Sequence, residues 1–514
     1  MDRLDRVLLE AEEPGGLAVS LADMSDASPA SANAVPPPAG RRVLINSAAL
    51  TIGQIVARAI SVLSTVVIAH ALGPARIGEI AVAAALAVFF AGIGDAGLTF
   101  WSYREIVLAP KLLSRIVVDT TFVQLWLSLA LAAVLGSIAI VAHMPAGQAR
   151  LLLLFTPFLL AQALSVQYAL EALEQMVTVA AIGILIQVVT TAGTIAFVLA
   201  TRDPIWVPIA LWVGQFIGDA VIWWRLRARH GFELTWPRPS STKRLLENGL
   251  PLLVTILLLN YWGMISTVFL AFLRSSRQLG IYSVSFSLVF TAWTLAYVAA
   301  GGTVPELVRR ARDDRPGFAT LLDTLVRLTT RLTLTIAAFV IAAAEPLVRL
   351  LYGGKFAASA PILQILAPII PLGWFTSFLG YALLADNQKR AYAQGLMAGA
   401  AFATVAYPVG AALFGATGTA VVSTVTVSVF AMAYIWYARR HLGVNPAPAA
   451  LREWRYGVVP LVALLAFDEI APFDTILVPL AAWAVVVAAV ELANGLPTAR
   501  QLIGLRRLQA TSPR

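Results

Sequence analysis

From about residue 43 onward the chain alternates long apolar stretches with short polar breaks. A bilayer-crossing helix needs roughly 20 mostly apolar residues, because each adds only ~1.5 Å across a ~30 Å hydrocarbon layer. That length predicts fourteen spans, at roughly 44–69, 78–100, 116–142, 151–171, 177–200, 205–226, 250–273, 280–304, 323–344, 361–384, 391–413, 418–438, 456–472 and 475–493. The thirteenth is the weakest. In lipid every backbone N–H and C=O must be satisfied inside its own segment, so the expected class is an all-α integral membrane protein.

Residues 1–42 break the pattern. Glu10, Glu12 and Glu13 precede a Ser/Ala/Pro stretch that ends at Pro36, Pro37 and Pro38. This predicts a disordered cytoplasmic tail. No apolar core follows a basic start, so a secretory signal is not expected.

Composition then narrows the class. Hydrophobic residues make up 59% of the 514 positions, charged residues 13%, and mean hydropathy is +0.80. Soluble domains carry about 25% charged residues, so an ordinary soluble enzyme is excluded. Cysteine is absent, which removes disulfides, thiolate metal sites and thiol nucleophiles.

The net charge of +9 could suggest nucleic acid, but its distribution argues otherwise. With the N-terminus placed in the cytoplasm, 27 of the 37 basic residues fall on the cytoplasmic side and 7 on the other. Three (Arg58, Arg327 and Arg331) stay inside spans. Basic residues collect in cytoplasmic loops, so the charge records orientation, with both termini cytoplasmic.

A faint repeat appears at an offset of 202, pairing Asn46 with Asn248, Gly78 with Gly280, Val82 with Val284 and Leu86 with Leu288. It predicts an N-terminal six-helix bundle (43–230), a basic cytoplasmic linker (231–249) and a C-terminal six-helix bundle (250–440). Two additional helices (441–497) and a cytoplasmic tail (498–514) complete the expected order. Two halves of equal span number, around a central cavity, suit alternating access.

Polar groups within spans mark a bundle interior or a water-filled cavity, since lipid-facing positions are costly for them. In the first span Ser47, Thr51, Gln54, Arg58, Ser61 and Thr65 fall on one helix face. Arg58 is near the middle, where an arginine costs about 2.5–3.5 kcal/mol. It needs an ion-pair partner, with Asp95 and Asp219 as candidates, or water, or an anionic ligand. Gln215 and Asp219 share the sixth span, Asn260 lies in the seventh, and Ser283, Ser287, Thr291 and Thr294 run along the eighth. Arg327 and Arg331 lie near the cytoplasmic end of the ninth, placed either to snorkel or to hold phosphate. The candidate substrate-binding set is Gln54, Arg58, Ser61, Asp95, Gln215, Asp219, Asn260, Arg327 and Arg331. Glu171 and Glu174 are expected in solvent at a helix end.

Other chemistries find no residues. There is no G-x-x-x-x-G-K-[ST] loop, and Gly353, Gly354 and Lys355 do not supply one. His70, His143, His230 and His441 sit at span ends or in loops, with no metal or Ser/His/Asp constellation. No cofactor and no enzymatic activity are expected. Uphill transport would draw on an ion gradient, H+ or Na+, or on a partner.

Several motifs resemble a known family. Leu72, Gly73 and Pro74 with Ile77 and Gly78 are similar to the L-G-P-x-x-[YF]-G turn of the oligosaccharide flippases. These are the Wzx-type polysaccharide transporters of the multidrug/oligosaccharidyl-lipid/polysaccharide exporter superfamily. Gly94 to Leu98 resembles their second-helix segment, and Leu279, Gly280, Ile281 and Tyr282 the opening of their eighth helix, with Pro305 at its end. Leu351, Tyr352, Gly353, Lys355 and Phe356, then Pro361, Ile362 and Leu363, are similar to the L-[FY]-G-x-x-[FY] stretch and its continuation. Gly415 to Ala420 is similar to the G-A-x-G-A-A turn. The matches run in order over residues 43–438; Ile77 and Thr419 depart from the pattern.

The resemblance implies two bundles around a cavity that opens alternately to each side. It implies an undecaprenyl-diphosphate-linked oligosaccharide as cargo, moved from the cytoplasmic to the periplasmic leaflet of the bacterial inner membrane. Arginine would hold the diphosphate, and Ser, Thr, Gln and Asn the sugar hydroxyls. Membrane lipids, a glycan polymerase and a chain-length regulator are the implied partners, with no nucleic acid. A multidrug exporter and a lipid II flippase of the same superfamily are the alternatives.

Overall fold

A computed structural model describes residues 39–141, 145–233, 236–237, 245, 261, 264–301, 303–470 and 476–494. Two compact units are distinguished, residues 1–45 and 46–514, and the account below concerns the second. The described residues are helical, with turns and no strand. Nine stretches among them are long and apolar enough to cross a membrane.

In chain order the long helices are α1 (Ala39–Asp95), α2 (Leu113–Val141), α3 (Ala146–Leu164), α4 (Met176–Thr201) and α5 (Trp206–His230). They continue with α6 (Ser276–Gly301), α7 (Arg315–Ala342), α8 (Ile369–Ala385) and α9 (Lys389–Tyr437). Two shorter apolar helices follow, α10 (Arg455–Ile470) and α11 (Leu477–Ala493).

α1 and α9 each contain two predicted spans. Each turns at one glycine, Gly73 with φ 76° and Gly415 with φ 60°, a backbone region that a Cβ disfavours. In α9 the limbs run antiparallel. Tyr434 stacks on Tyr392 with ring centroids 5.9 Å apart, and Gly399 and Gly410 lie against Phe430 and Val422. Glycines on the near face let the limbs approach closely, as lipid-embedded helices require.

Some boundaries move from the predicted ones. α7 begins eight positions before the expected 323, where the Asp314 carboxylate accepts a bond from the Gly317 N–H at 2.9 Å and caps the first turn. The fourth predicted span breaks at Ser165, and a short helix, Gln167–Ala172, follows. Residues 250–260 and 262–263 of the predicted 250–273 span, most of the 231–249 linker, and the tails 1–38 and 498–514 lie outside the described residues, and the rest of that span is the apolar helix Met264–Leu273.

Buried apolar residues divide the molecule into two ends. At the end holding Gly73 and Gly415, one core takes Ile77, Val82 and Phe155 from the first half together with Leu279, Tyr282 and Phe356 from the second. At the other end, the end of Gly231 and Asp314, the described cores are separate. One is built from Ile106, Val117, Ile182 and Leu226 of the first half, and another from Leu307, Phe318, Phe378 and Leu442 of the second. The halves therefore share a core at the Gly73 end, and among the described residues each keeps its own at the Gly231 end.

Candidate functional site

Arg58 sits on the first limb of α1, fifteen residues before the Gly73 turn, and faces the second half. Its guanidinium Nη2 donates to Thr294 Oγ1 on α6 at 2.9 Å, and its Cζ lies 5.9 Å from the Phe290 ring centre. Thr294 in turn donates to the Phe290 carbonyl. No carboxylate among the described residues pairs with Arg58, and its buried Nε reaches no described acceptor. The two expected ion-pair partners, Asp95 and Asp219, are engaged elsewhere.

A cavity of about 250 Å³ opens at this point, lined by Gln54, Arg58 and Ser61 of α1, Gln187 of α4, and Thr294 of α6. The first-span stripe and the eighth-span hydroxyls thus meet between the halves. Within the first half Gly53 lets α1 pack closely on α4 beside this cavity, since a Cβ there would stand 2.7 Å from the Ala180 methyl. The lining is one cation, two amides and two hydroxyls, which suits an anionic, hydroxyl-bearing ligand. A guanidinium presents several N–H donors in a plane that matches phosphate oxygens.

Asp95 belongs to a second cavity, of about 390 Å³, inside the first half. Its Oδ1 accepts from the Thr99 N–H at 3.3 Å, the Thr99 hydroxyl at 2.5 Å and the Gln124 amide at 2.7 Å. Ser128, Gln162, Ser165, Gln167, Tyr168 and Glu171 complete the polar wall, and no Lys, Arg or His lines it. Gly94 brings the end of α1 against Ser128, whose hydroxyl would lie 2.7 Å from an added Cβ. This wall is rich in acceptors, the reverse of the Arg58 pocket.

Glu171 corrects an expectation. It lines this cavity and accepts from Gln167 at 2.7 Å, because the chain breaks at Ser165 and turns the short helix inward. Gln124, Gln162 and Gln187 were not singled out from the sequence. Each is a lone amide in an apolar run, and only its position on the inward face would have marked it.

The other candidates lie apart from both cavities. Asp219 is 2% exposed and accepts from Gln215 at 3.1 Å along α5. Arg327 pairs with Asp323 at 2.8 Å, one turn away on α7. Arg331 is buried against Glu453 and lies under Tyr456, its Cζ 4.7 Å from that ring's centre. Neither arginine reaches a cavity described above; each has a carboxylate of its own. Asn260 lies outside the described residues.

A polysaccharide biosynthesis protein family model matches residues 67–361, more than half of the chain. The chain belongs to that family. Its fold is shared with solved transporter structures. The structure of a lipid II flippase MurJ in an inward closed conformation aligns with a TM-score of 0.70 at 14% identity, covering 86% of this chain and 97% of that one. An inward-facing multidrug resistance MATE transporter of the MOP superfamily aligns at 0.63, with 12% identity over 75% of this chain and 94% of that one. An outward-facing structure of such a transporter aligns at 0.50, with 14% identity over 78% and 96%. No curated protein sequence matches the chain. The chain is thus a multi-pass membrane protein with the fold of these transporters.

Proposed function

We propose that the protein is a flippase. It moves an undecaprenyl-diphosphate-linked oligosaccharide from the cytoplasmic to the periplasmic leaflet by alternating access, as a step in building a surface polysaccharide. The observation that carries this reading is Arg58. It is a cation in mid-span with no described carboxylate partner, set among Gln54, Ser61, Gln187 and Thr294 in a cavity between the halves. A half-buried charge in mid-span without a counter-ion is costly, so a site that keeps one favours an anionic ligand. The diphosphate binds at Arg58, the amides and hydroxyls take sugar hydroxyls, and the prenyl chain stays in lipid.

The test is where the lipid-linked glycan accumulates. Deleting the gene should trap it in the inner leaflet and remove surface glycan, and a copy carrying Arg58→Ala should insert normally yet fail to restore it. Full surface glycan with Arg58→Ala would overturn the reading. Lysis with a block in wall synthesis would point to lipid II as cargo, and drug hypersensitivity with intact glycan to a multidrug exporter.

A further inference from the structure

The two halves cross at Gly78 and Gly280. A Cβ on Gly78 would fall on the Ser276 carbonyl and stand 2.9 Å from the Gly280 nitrogen. A Cβ on Gly280 would fall on the Pro74 carbonyl and stand 3.1 Å from the Gly78 nitrogen. The contact is reciprocal: Gly78 meets the fourth residue before Gly280, and Gly280 meets the fourth residue before Gly78. Both pairs, Gly78 with Gly280 and Pro74 with Ser276, are 202 positions apart, the offset of the sequence repeat. Such a reciprocal contact is the mark of a two-fold relation between the halves.

Around this crossing the halves hold each other by few polar bonds. The Gln148 amide donates to Ser276 Oγ at 2.9 Å, joining α3 to the start of α6. Gly353 of the second half lies against His70 of the first, and Lys355 against Gly73. Among the described residues the shared apolar core lies at this end alone. The Arg58 cavity sits farther along α1, toward the end where the described cores are separate.

We propose that the Gly78–Gly280 crossing, braced by Gln148 and Ser276, is the gate that shuts the Arg58 cavity from the outer face. This rests on the transport reading above and adds the closing residues to it. Backbone meets backbone at the two glycines, and the apolar core that the halves share beside them, with Ile77 on one side and Leu279 and Tyr282 on the other, has to part with the crossing when the gate opens. A side chain at either glycine cannot fit the closed arrangement, because the atom it meets is a carbonyl of the opposite backbone and not a flexible side-chain tip. Substitution therefore favours the open gate.

The absence of cysteine provides a background for the test. Thr65→Cys places one thiol on the polar face of α1 between Arg58 and the crossing, and a membrane-impermeant maleimide added outside spheroplasts reports access to it. In the otherwise unchanged chain labelling should be slow. Gly78→Ala and Gly280→Ala should each raise the rate at least fivefold. Gln148→Ala, which leaves the glycine backbones alone and so tests the gate even if the alanines fail to fold, should raise it about twofold. Unchanged labelling in Gln148→Ala and in every folded alanine variant would overturn the gate. Labelling needs no substrate, so it separates the two claims. Faster labelling with no trapped glycan in the deletion strain would uphold the gate and sink the cargo. Trapped glycan with unmoved labelling would do the reverse.

Discussion

Arg331 and Glu453 stand 3.1 Å apart with both side chains 5% exposed, although 122 positions separate them. Glu453 lies between the short helix Ala447–Arg452 and α10, so the pair ties the last helices to α7. The Trp483 indole adds a second tie, donating to the Thr335 carbonyl at 2.9 Å.

Breaking a buried pair by removing one partner costs about 3–5 kcal/mol, because the other charge is left buried alone. Glu453→Ala and Arg331→Ala should each lower Tm in detergent by several degrees. The double variant Arg331→Met with Glu453→Leu should recover most of the loss. Single variants as stable as the parent would show that the pair does not hold these helices.

At the Arg58 cavity the expected effects fall on transport, not on folding. A charge-assisted hydrogen bond is worth about 1.5–3 kcal/mol, and about 1.4 kcal/mol is tenfold. Arg58→Ala should therefore cut flipping by about tenfold to a hundredfold while Tm stays within a few degrees. Arg58→Lys should keep part of the activity, having charge but no planar fork. Thr294→Val, which deletes only the acceptor that orients the guanidinium, should cost less than Arg58→Ala. Flipping assayed in membranes from cells with equal protein levels decides the order.

Much of this cavity was legible from local spacing. The first-span stripe follows from steps of three and four residues, and the turns at Gly73, Gly353 and Gly415 sit at motif glycines with positive φ. The meeting of Arg58 with Thr294 was not legible, since periodicity says which face is polar and not which distant face it meets. Glu453 was hidden for a different reason. A single carboxylate between Arg452 and Arg455 beside a span end looks like a solvated loop residue, and only tertiary packing shows its partner.

Asp95 makes a prediction of the opposite kind. Removing its carboxylate leaves the Thr99 N–H and the Gln124 amide without their acceptor, at about 1–3 kcal/mol for an unmet buried group. Asp95→Ala should lower Tm more than Asp95→Asn, whose side-chain oxygen can still accept. Equal Tm values for the two would mean that these bonds do not govern stability.

The charged helix Val304–Asp313 gives a pH dependence. Glu306 accepts from Arg309 at 3.0 and 2.8 Å and from Arg310 at 2.5 Å, and the Arg309 bond foremost holds its carboxyl below the usual 4.5. A lowered folded-state value means stabilisation that is present above 4.5 and is lost as pH falls through the lower, folded value. Acidification below 4.5 should thus destabilise the parent more than Glu306→Gln. Tm profiles of both proteins between pH 6 and pH 3 should converge at the acid end; parallel profiles would show that the pair contributes nothing.

The one-residue reversal at Gly415 also bears on how the protein is made. Its two limbs are zipped along Gly395, Gly399 and Gly410, and no loop separates them. Neither limb can reach its packed place while the other is outside the bilayer, because in the folded protein one glycine alone joins them. The two limbs are therefore expected to complete their insertion as a single hairpin. A reporter domain fused just after Gly415 would catch the chain half-threaded, not at a natural exit point.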